Sequence, residues 1–324
     1  MSRNHYSPIV GYLSSLAAGL SFGFIPILAA VLRDFGASSI EQVILRLAFG
    51  AVFGLGFLIF LSFKHRISTS LDSKIQCTYI LQGFLFALMI VVYISSVALQ
   101  TPVGEAALLV QVHPFITLLF GRLFLKERIT LRKIIALAIA FTGIIILVEP
   151  WKWQSFLSSL AGDLFAFFNG FFYASYLLVG RGTASTRKEI SAFTSISWVL
   201  VWGFILGIPL VALLSVFPLP SSLVAFSFST LFSPKIVGFA FLLAVSGSIL
   251  PYSLLMVTAH SIESSKASLV LLVEPLGAIV FGFIILREPI TLAYLLGGLC
   301  IIIAFAITIS ETFQKRQNDT NLAD

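Results

Sequence analysis

Apolar residues run along this chain in long unbroken stretches, not in the alternating or every-third-residue stripes of a half-buried soluble element. A helix needs about 20 consecutive apolar residues to cross the hydrocarbon core of a bilayer. Stretches of that length fall at about 9–32, 40–62, 76–99, 102–124, 130–148, 156–179, 191–214, 236–259, 265–286 and 291–310. The separators between them are short and carry charges, Gly, Pro or Ser. The longest, Ser215 to Lys235, holds Pro218, Pro220 and Pro234 and is too broken to span, with Leu223 to Phe232 expected at the interface. The pattern predicts an all-α integral membrane protein of ten transmembrane helices.

Sliding the chain against itself by 161 residues aligns Ala106–Leu131 with Ala267–Leu292, and 11 of the 26 positions are identical without a gap. Apolar composition alone does not readily give the shared Pro114/Pro275, Phe120/Phe281, Gly121/Gly282 and the run Glu127/Glu288, Ile129/Ile290, Thr130/Thr291, Leu131/Leu292. Weaker echoes link Gly11, Leu13 and Gly19 with Gly162, Leu164 and Gly170. Each unit therefore has five helices, over residues 1–150 and 151–324, the second ending in a short cytoplasmic tail. An odd number of crossings makes the second copy enter the membrane upside down. Inverted repeats are a known construction of secondary transporters, because two packings related by the pseudo-twofold give inward-open and outward-open states.

Composition agrees with the pattern: 58% of residues are hydrophobic, 10% are charged and the mean hydropathy is +1.04. So little charge does not cover a soluble surface. The net charge of +6 would suggest nucleic acid in a soluble protein, but here it belongs to cytoplasmic loops and anionic headgroups. With the N-terminus inside, 15 of the 20 Lys and Arg fall on the cytoplasmic side, 4 outside, and Arg46 lies within helix two. Both termini are thus expected in the cytoplasm. The first apolar run is too long for a signal-peptide core and is read as an uncleaved helix. Cys77 and Cys300 lie in opposite halves with no Cys or His neighbourhood suited to zinc.

The two five-helix units, each with a Pro inside its fourth helix and a Glu-x-Ile-Thr-Leu turn into its fifth, resemble the EamA-type transporters of the drug/metabolite transporter superfamily. The similarity covers nearly the whole chain, and EPLGAIVFGFIILREPITL is its most specific stretch. The resemblance implies a ten-helix carrier, commonly an exporter of amino acids or related metabolites, with a central cavity built from both halves. It leaves the substrate open.

Ionisable groups in mid-membrane are costly and usually face a cavity or a partner. Glu274 is about ten residues into helix nine, and the following Pro275 cannot donate an N–H and disturbs the preceding turn. It is a candidate for proton coupling or for binding a substrate ammonium, the plainer alternative being a carboxylate bonded to a neighbouring helix. His113 holds the equivalent position beside Pro114 and titrates near neutral pH. Gln111, two residues earlier, is expected on another face. Arg46 stands five residues from Glu41, a poor spacing for an intrahelical pair, and is expected to meet a partner elsewhere or an anionic substrate group. Glu41 is expected to be solvated, and Asp163 to cap or lie at the outer interface. Asn169, Tyr173 and Tyr176 share a stripe that could line a polar wall, with Trp202 and Tyr252 as further candidates. Tyr93, Gln82 and Trp198 are weaker ones, since aromatic residues in such helices are more often packing or interface anchors. Glu127 and Glu288 read as structural carboxylates at helix N-termini. Gly19/Gly23, Gly50/Gly54 and Gly203/Gly207 have the spacing that lets helices approach closely. Pro26, Pro209 and Pro251 are expected to kink their helices.

No HExxH, GxSxG or Walker motif is present, and the four His are scattered. The sequence therefore predicts a gradient-driven secondary transporter with no cofactor or metal, not an enzyme. Its expected partners are a small-molecule substrate, the lipid bilayer and protons as a candidate coupling ion, with no nucleic acid and a homodimer as a candidate assembly. Export of small polar metabolites such as amino acids leads. Uptake of a nucleotide-like or sulfonium metabolite is the alternative within transport, and an intramembrane lipid-processing enzyme is the alternative of another class.

Overall fold

A computed structural model of the chain describes residues 7–63, 72–98, 109–148, 151, 160–187, 190–217, 221–287 and 290–321. Among them the ordered elements are helices throughout, with no strand. The first half gives α1 (Pro8–Phe22), α2 (Phe24–Asp34), α3 (Ser39–Phe63), α4 (Ser73–Ala98), α5 (His113–Phe124) and α6 (Leu131–Val148). The second gives α7 (Leu160–Thr186), α8 (Ala192–Leu214), α9 (Pro234–Ala244), α10 (Leu250–Ser261), α11 (Ser264–Leu271), α12 (Glu274–Phe281) and α13 (Leu292–Asn321). Eight segments are long and apolar enough to cross a membrane: Pro8–Asp34, Ser39–Phe63, Ser73–Ser96, Gly162–Thr186, Ala192–Leu214, Pro234–Ser261, Ser264–Ile285 and Leu292–Ser310. Helices α5 and α6 stand at the other two expected spans; the expected start of the fourth, 102–108, lies outside the described residues, as does Glu288.

Local chemistry sets the helix ends. Ser7 accepts from the Val10 N–H ahead of Pro8, and Ser191 accepts from the Thr194 N–H, so each supplies an acceptor to an otherwise unpaired first-turn donor. Ser38 and Glu41 cap α3 reciprocally: the Glu41 N–H donates to Ser38 Oγ at 3.2 Å and the Ser38 N–H to Glu41 Oε2 at 2.9 Å. Glu41 also accepts from the Ser227 N–H at 2.7 Å and is buried. This corrects the expectation of a solvated residue: S-x-x-E just before an apolar run is an N-terminus signature, and it draws the carboxylate onto backbone. Two one-turn helices, Ser221–Val224 and Phe228–Leu231, occupy the long connection in the stretch assigned to the interface.

The largest interfaces join one half to the other. Helix α3 packs on α8 and α6 on α13, each on its own repeat equivalent, while α4 lies against α7 and α8 as α10 with α9 lies against α1 and α3. Small residues permit these approaches. A Cβ on Gly54 would stand 2.6 Å from the Ser197 carbonyl, and one on Gly143 2.7 Å from that of Gly297. A buried cluster from α1, α3, α4, α7, α8 and α10 fills the centre. The outward faces carry large apolar side chains such as Val52, Phe63, Leu119 and Leu299, as lipid contact requires.

Candidate functional site

The fourth helix of each repeat is interrupted at the same place. A turn at 111–112 precedes α5, and a turn at 272–273 separates α11 from α12; Pro114 and Pro275 follow at the second residue of α5 and α12. Proline here withholds an N–H from the preceding turn, which is why the ladder breaks at the residues before it. Each break is clasped by a glycine of the other half's first helix. A Cβ on Gly170 would meet the Val110 carbonyl at 2.7 Å and Val112, and one on Gly19 would meet Val273 at 2.6 Å, with the Leu271 carbonyl and Glu274 N at 3.5 and 3.6 Å. His113 and Glu274 therefore enter the bundle centre at positions related by the repeat.

Arg46 enters from α3 and is buried. Its Nε donates to Ser248 Oγ at 2.6 Å and its Nη2 donates to the Gly247 carbonyl. Both acceptors lie in a π-helical turn, Val245–Ile249, between α9 and α10. Pro251 has no N–H for the carbonyl four residues before it, that of Gly247, and the guanidinium serves that acceptor instead. Ser21 similarly donates to the Ser246 carbonyl at 2.7 Å. The widened turn thus exposes backbone acceptors to side chains of the first half, a frequent feature of functional sites.

The acceptors of Arg46 are uncharged, so its charge is solvated by dipoles and not matched by a carboxylate. Glu274, half-buried, makes no hydrogen bond or ion pair among the described residues, yet lies close enough to Arg46 to feel its charge, with the neutral Tyr93, Tyr173 and Tyr252 nearby. A cation and an ionisable carboxyl are therefore held in one region without contact.

Aromatic rings form the surroundings. Tyr252 takes edge-on contacts from Phe86, Phe22 and Tyr176 at centroid distances of 4.8, 5.2 and 5.2 Å. Phe22 also meets Tyr173 at 6.1 Å, and Tyr173 packs on the His113 ring at 4.5 Å. The hydroxyls of Tyr173 and Tyr176, both ring nitrogens of His113 and Oε1 of Gln111 are buried with no hydrogen-bond partner among the described residues. Buried polar atoms are ordinarily paired, so such a concentration calls for a physical reason. A neutral imidazole offers one donor and one acceptor, and each phenol offers both, so the set is chemically suited to a polar guest.

The structure thus brings together Arg46, His113, Tyr173, Tyr176, Tyr252 and Glu274, with Tyr93 beside them. It does not bring in Asn169 or Trp202. Asn169 donates to the Met89 carbonyl at 2.6 Å, and Trp202 Nε1 donates to Gln76 Oε1 at 3.0 Å, so both fasten helices to α4. Gln82 likewise bonds the Tyr176 carbonyl at 3.4 Å, and Asp163 is buried near the start of α7. Glu127 is structural, as expected, but it caps another helix than its own: it accepts from the N–H and Oγ of Ser264 and of Ser265 at 2.5–3.0 Å, at the start of α11. Sequence reasoning missed Phe22, Phe86 and Ser248. Pro251 was the available signal for Ser248, since it frees a carbonyl in that turn; the phenylalanines had none.

The architecture carries a family with it. Residues 9–149 and again 160–310 match the EamA-like transporter family. The chain belongs to that family. Among relatives of this EamA-like protein, a riboflavin transporter of Vibrio cholerae serotype O1 is 27% identical over 216 residues, 66% of this chain and 67% of the relative. A riboflavin transporter of Rhizobium johnstonii is 26% identical over 204 residues, 60% of each chain. The pseudopaline exporter CntI of Pseudomonas aeruginosa is 26% identical over 148 residues, 45% of this chain and 49% of the exporter. A protein of known crystal structure superposes with a TM-score of 0.72 over 92% of this chain and 95% of its own, at 13% identity, a likeness of fold alone. The EamA-like protein is thus a multi-pass membrane protein whose named relatives transport small molecules.

Proposed function

We propose that this EamA-like protein is a secondary active transporter, and not an enzyme, that exports small polar metabolites such as amino acids by alternating access at the site between Arg46 and Glu274. One observation carries this reading: Arg46 is bound only by neutral acceptors while Glu274 is unbonded among the described residues. A buried guanidinium and a half-buried carboxylate that pair with neither each other nor a permanent partner are expensive. A cargo with one anionic and one cationic group relieves both, carboxylate to Arg46 and ammonium to Glu274. The unpartnered hydroxyls and imidazole supply neutral hydrogen bonds for the rest of it. The Lys and Arg asymmetry supports an inner or plasma membrane location with both termini in the cytoplasm. A carboxylate that alternates between a cargo and a proton supports proton coupling.

The rings of Phe22, Phe86, Tyr173, Tyr176 and Tyr252 favour a second reading, uptake of a flat nucleotide-like metabolite, in keeping with the two riboflavin transporters.

Metabolites in cells and medium, compared for the wild type, Glu274→Gln and an empty vector, test both readings. The expected result is a zwitterionic compound moved outward by the wild type alone, with Glu274→Gln inserted normally but inactive. Transport by Glu274→Gln at the wild-type rate would remove that residue from the mechanism. A flat nucleotide-like compound moved inward would establish the second reading.

A further inference from the structure

Among the described residues, two other than glycine hold a left-handed backbone, Lys126 at φ 56° and Arg287 at φ 58°. They are 161 positions apart, so they take the same place in the two repeats, just past the end of each fourth helix. An L-residue in this conformation costs roughly 1–2 kcal/mol, and helices that end this way usually use glycine. A cation kept there in both halves points to a use for the charge.

Around Lys126 the use has a shape. Lys126, Arg128 and Arg181 line a cleft of ≈ 310 Å³ together with Leu125, Ser185 and Glu263. Glu127 and Glu263 both lie near Arg181, and Glu263 also pairs with the buried Lys133 at 2.6 Å, so the two carboxylates stand against Lys126, Arg128, Arg181 and Lys133. Arg181 donates to the neutral Ala259 carbonyl at 2.6 Å. The cleft therefore keeps an excess of positive charge. Immediately beside it Leu123 and Phe124 are 61% and 72% exposed, on the face that α5 turns to lipid tails. Cations closing the end of an apolar face match a molecule with an anionic head and hydrocarbon chains.

We infer that the Lys126–Arg128–Arg181 cleft binds the phosphate headgroup of an anionic phospholipid whose chains lie along α5. The charge asymmetry of the loops assigns it to the cytoplasmic leaflet, where such lipids concentrate. Arg287, next to the exposed Phe283 and Ile284, is the corresponding single contact at the opposite face.

The test uses the full chain, purified and delipidated in detergent, titrated separately with phosphatidylglycerol, phosphatidylcholine and inorganic phosphate. Thermal stability is followed, and retained lipid is counted by native mass spectrometry. Phosphatidylglycerol is expected to raise the melting temperature and remain bound, and the other two are not. Arg128→Gln should weaken the apparent affinity for phosphatidylglycerol by about fivefold, the effect of one cation near an anionic headgroup. Lys126→Gly is the discriminating variant. It removes the charge but relieves the backbone, so without lipid it should melt no lower than the wild type while gaining less from phosphatidylglycerol. Equal stabilisation by phosphatidylcholine, or wild-type affinity in both variants, would overturn the inference. So would inorganic phosphate reproducing the whole shift, which would assign the cleft to a soluble anion.

Discussion

Arg46 illustrates how a single buried charge is made tolerable. Its guanidinium is held by one hydroxyl and one carbonyl of a widened helical turn, and that carbonyl is available because Pro251 cannot serve it. The hydroxyl matters because a hydrogen bond to a charged group contributes about 1.5–3 kcal/mol, more than a neutral one. Ser248→Ala should therefore lower stability by roughly that amount and impair transport with it. Ser253→Ala, whose hydroxyl bonds only the neutral Ile249 carbonyl one turn earlier at 2.5 Å, should cost less. Thermal melts of the two variants in one detergent decide this, and equal losses would mean that Ser248 does not anchor the guanidinium. The charged members of the site were legible in the sequence because Arg46 and Glu274 interrupt apolar runs, where an ionisable group is costly. Their partners were not, because Ser248 is 202 residues from Arg46, and Pro251 marks a freed carbonyl in that turn without saying which side chain reaches it. Phe22 and Phe86 were equally hidden among 32 phenylalanines.

Helices were readable where bilayer thickness dictates their length, and less so where their ends are set by contacts. Helix α7 runs on to Thr186, past the apolar run that ends near 179, and α13 continues to Asn321 beyond the apolar stretch ending near 310. The breaks at 111–112 and 272–273 were foreshadowed by Pro114 and Pro275, whereas Pro251 foreshadowed only a disturbed turn, whose π-helical form is served by Arg46 and Ser21 from other helices. Glycines divide in the same way. The helix break between α1 and α2 falls at Gly23, where a Cβ would stand 2.4 Å from the backbone of Gly277 and Ala278 in α12, three to four residues after Glu274. Backbone cannot yield as a side chain can, so Gly23→Ala must push the two helices apart beside the site. Gly56 and Gly238 have nothing within 4 Å of an added Cβ, and there alanine should stabilise the helix by up to about 1 kcal/mol. Melting temperature and transport should both fall for Gly23→Ala, while Gly56→Ala and Gly238→Ala melt no lower than the wild type. A harmless Gly23→Ala would show that the crossing tolerates separation.

Across the whole molecule the repeat makes His113 and Glu274 equivalents, but their surroundings differ. His113 is 0% exposed, with both ring nitrogens sealed and unpartnered, whereas Glu274 is half-buried. Unsatisfied buried polar atoms cost about 1–3 kcal/mol each, so the packing around His113 carries a penalty that another arrangement can relieve. In a fold built from two inverted copies, the alternative packing is obtained by exchanging the conformations of the copies, and states separated by a few kcal/mol interconvert. Under the proposed alternating access, the exchanged state would have the His113 side open and the Glu274 side sealed. Cysteine substitution reads this directly once the free Cys77 and Cys300 are replaced by serine. In sealed vesicles of known orientation, Glu274→Cys should react with a membrane-impermeant maleimide from one side, and His113→Cys only from the other and more slowly. Slower reaction at His113→Cys follows from the minor population of the exchanged state. Reaction of both cysteines from the same side would mean that the asymmetry is fixed in the fold and that the two halves do not trade places.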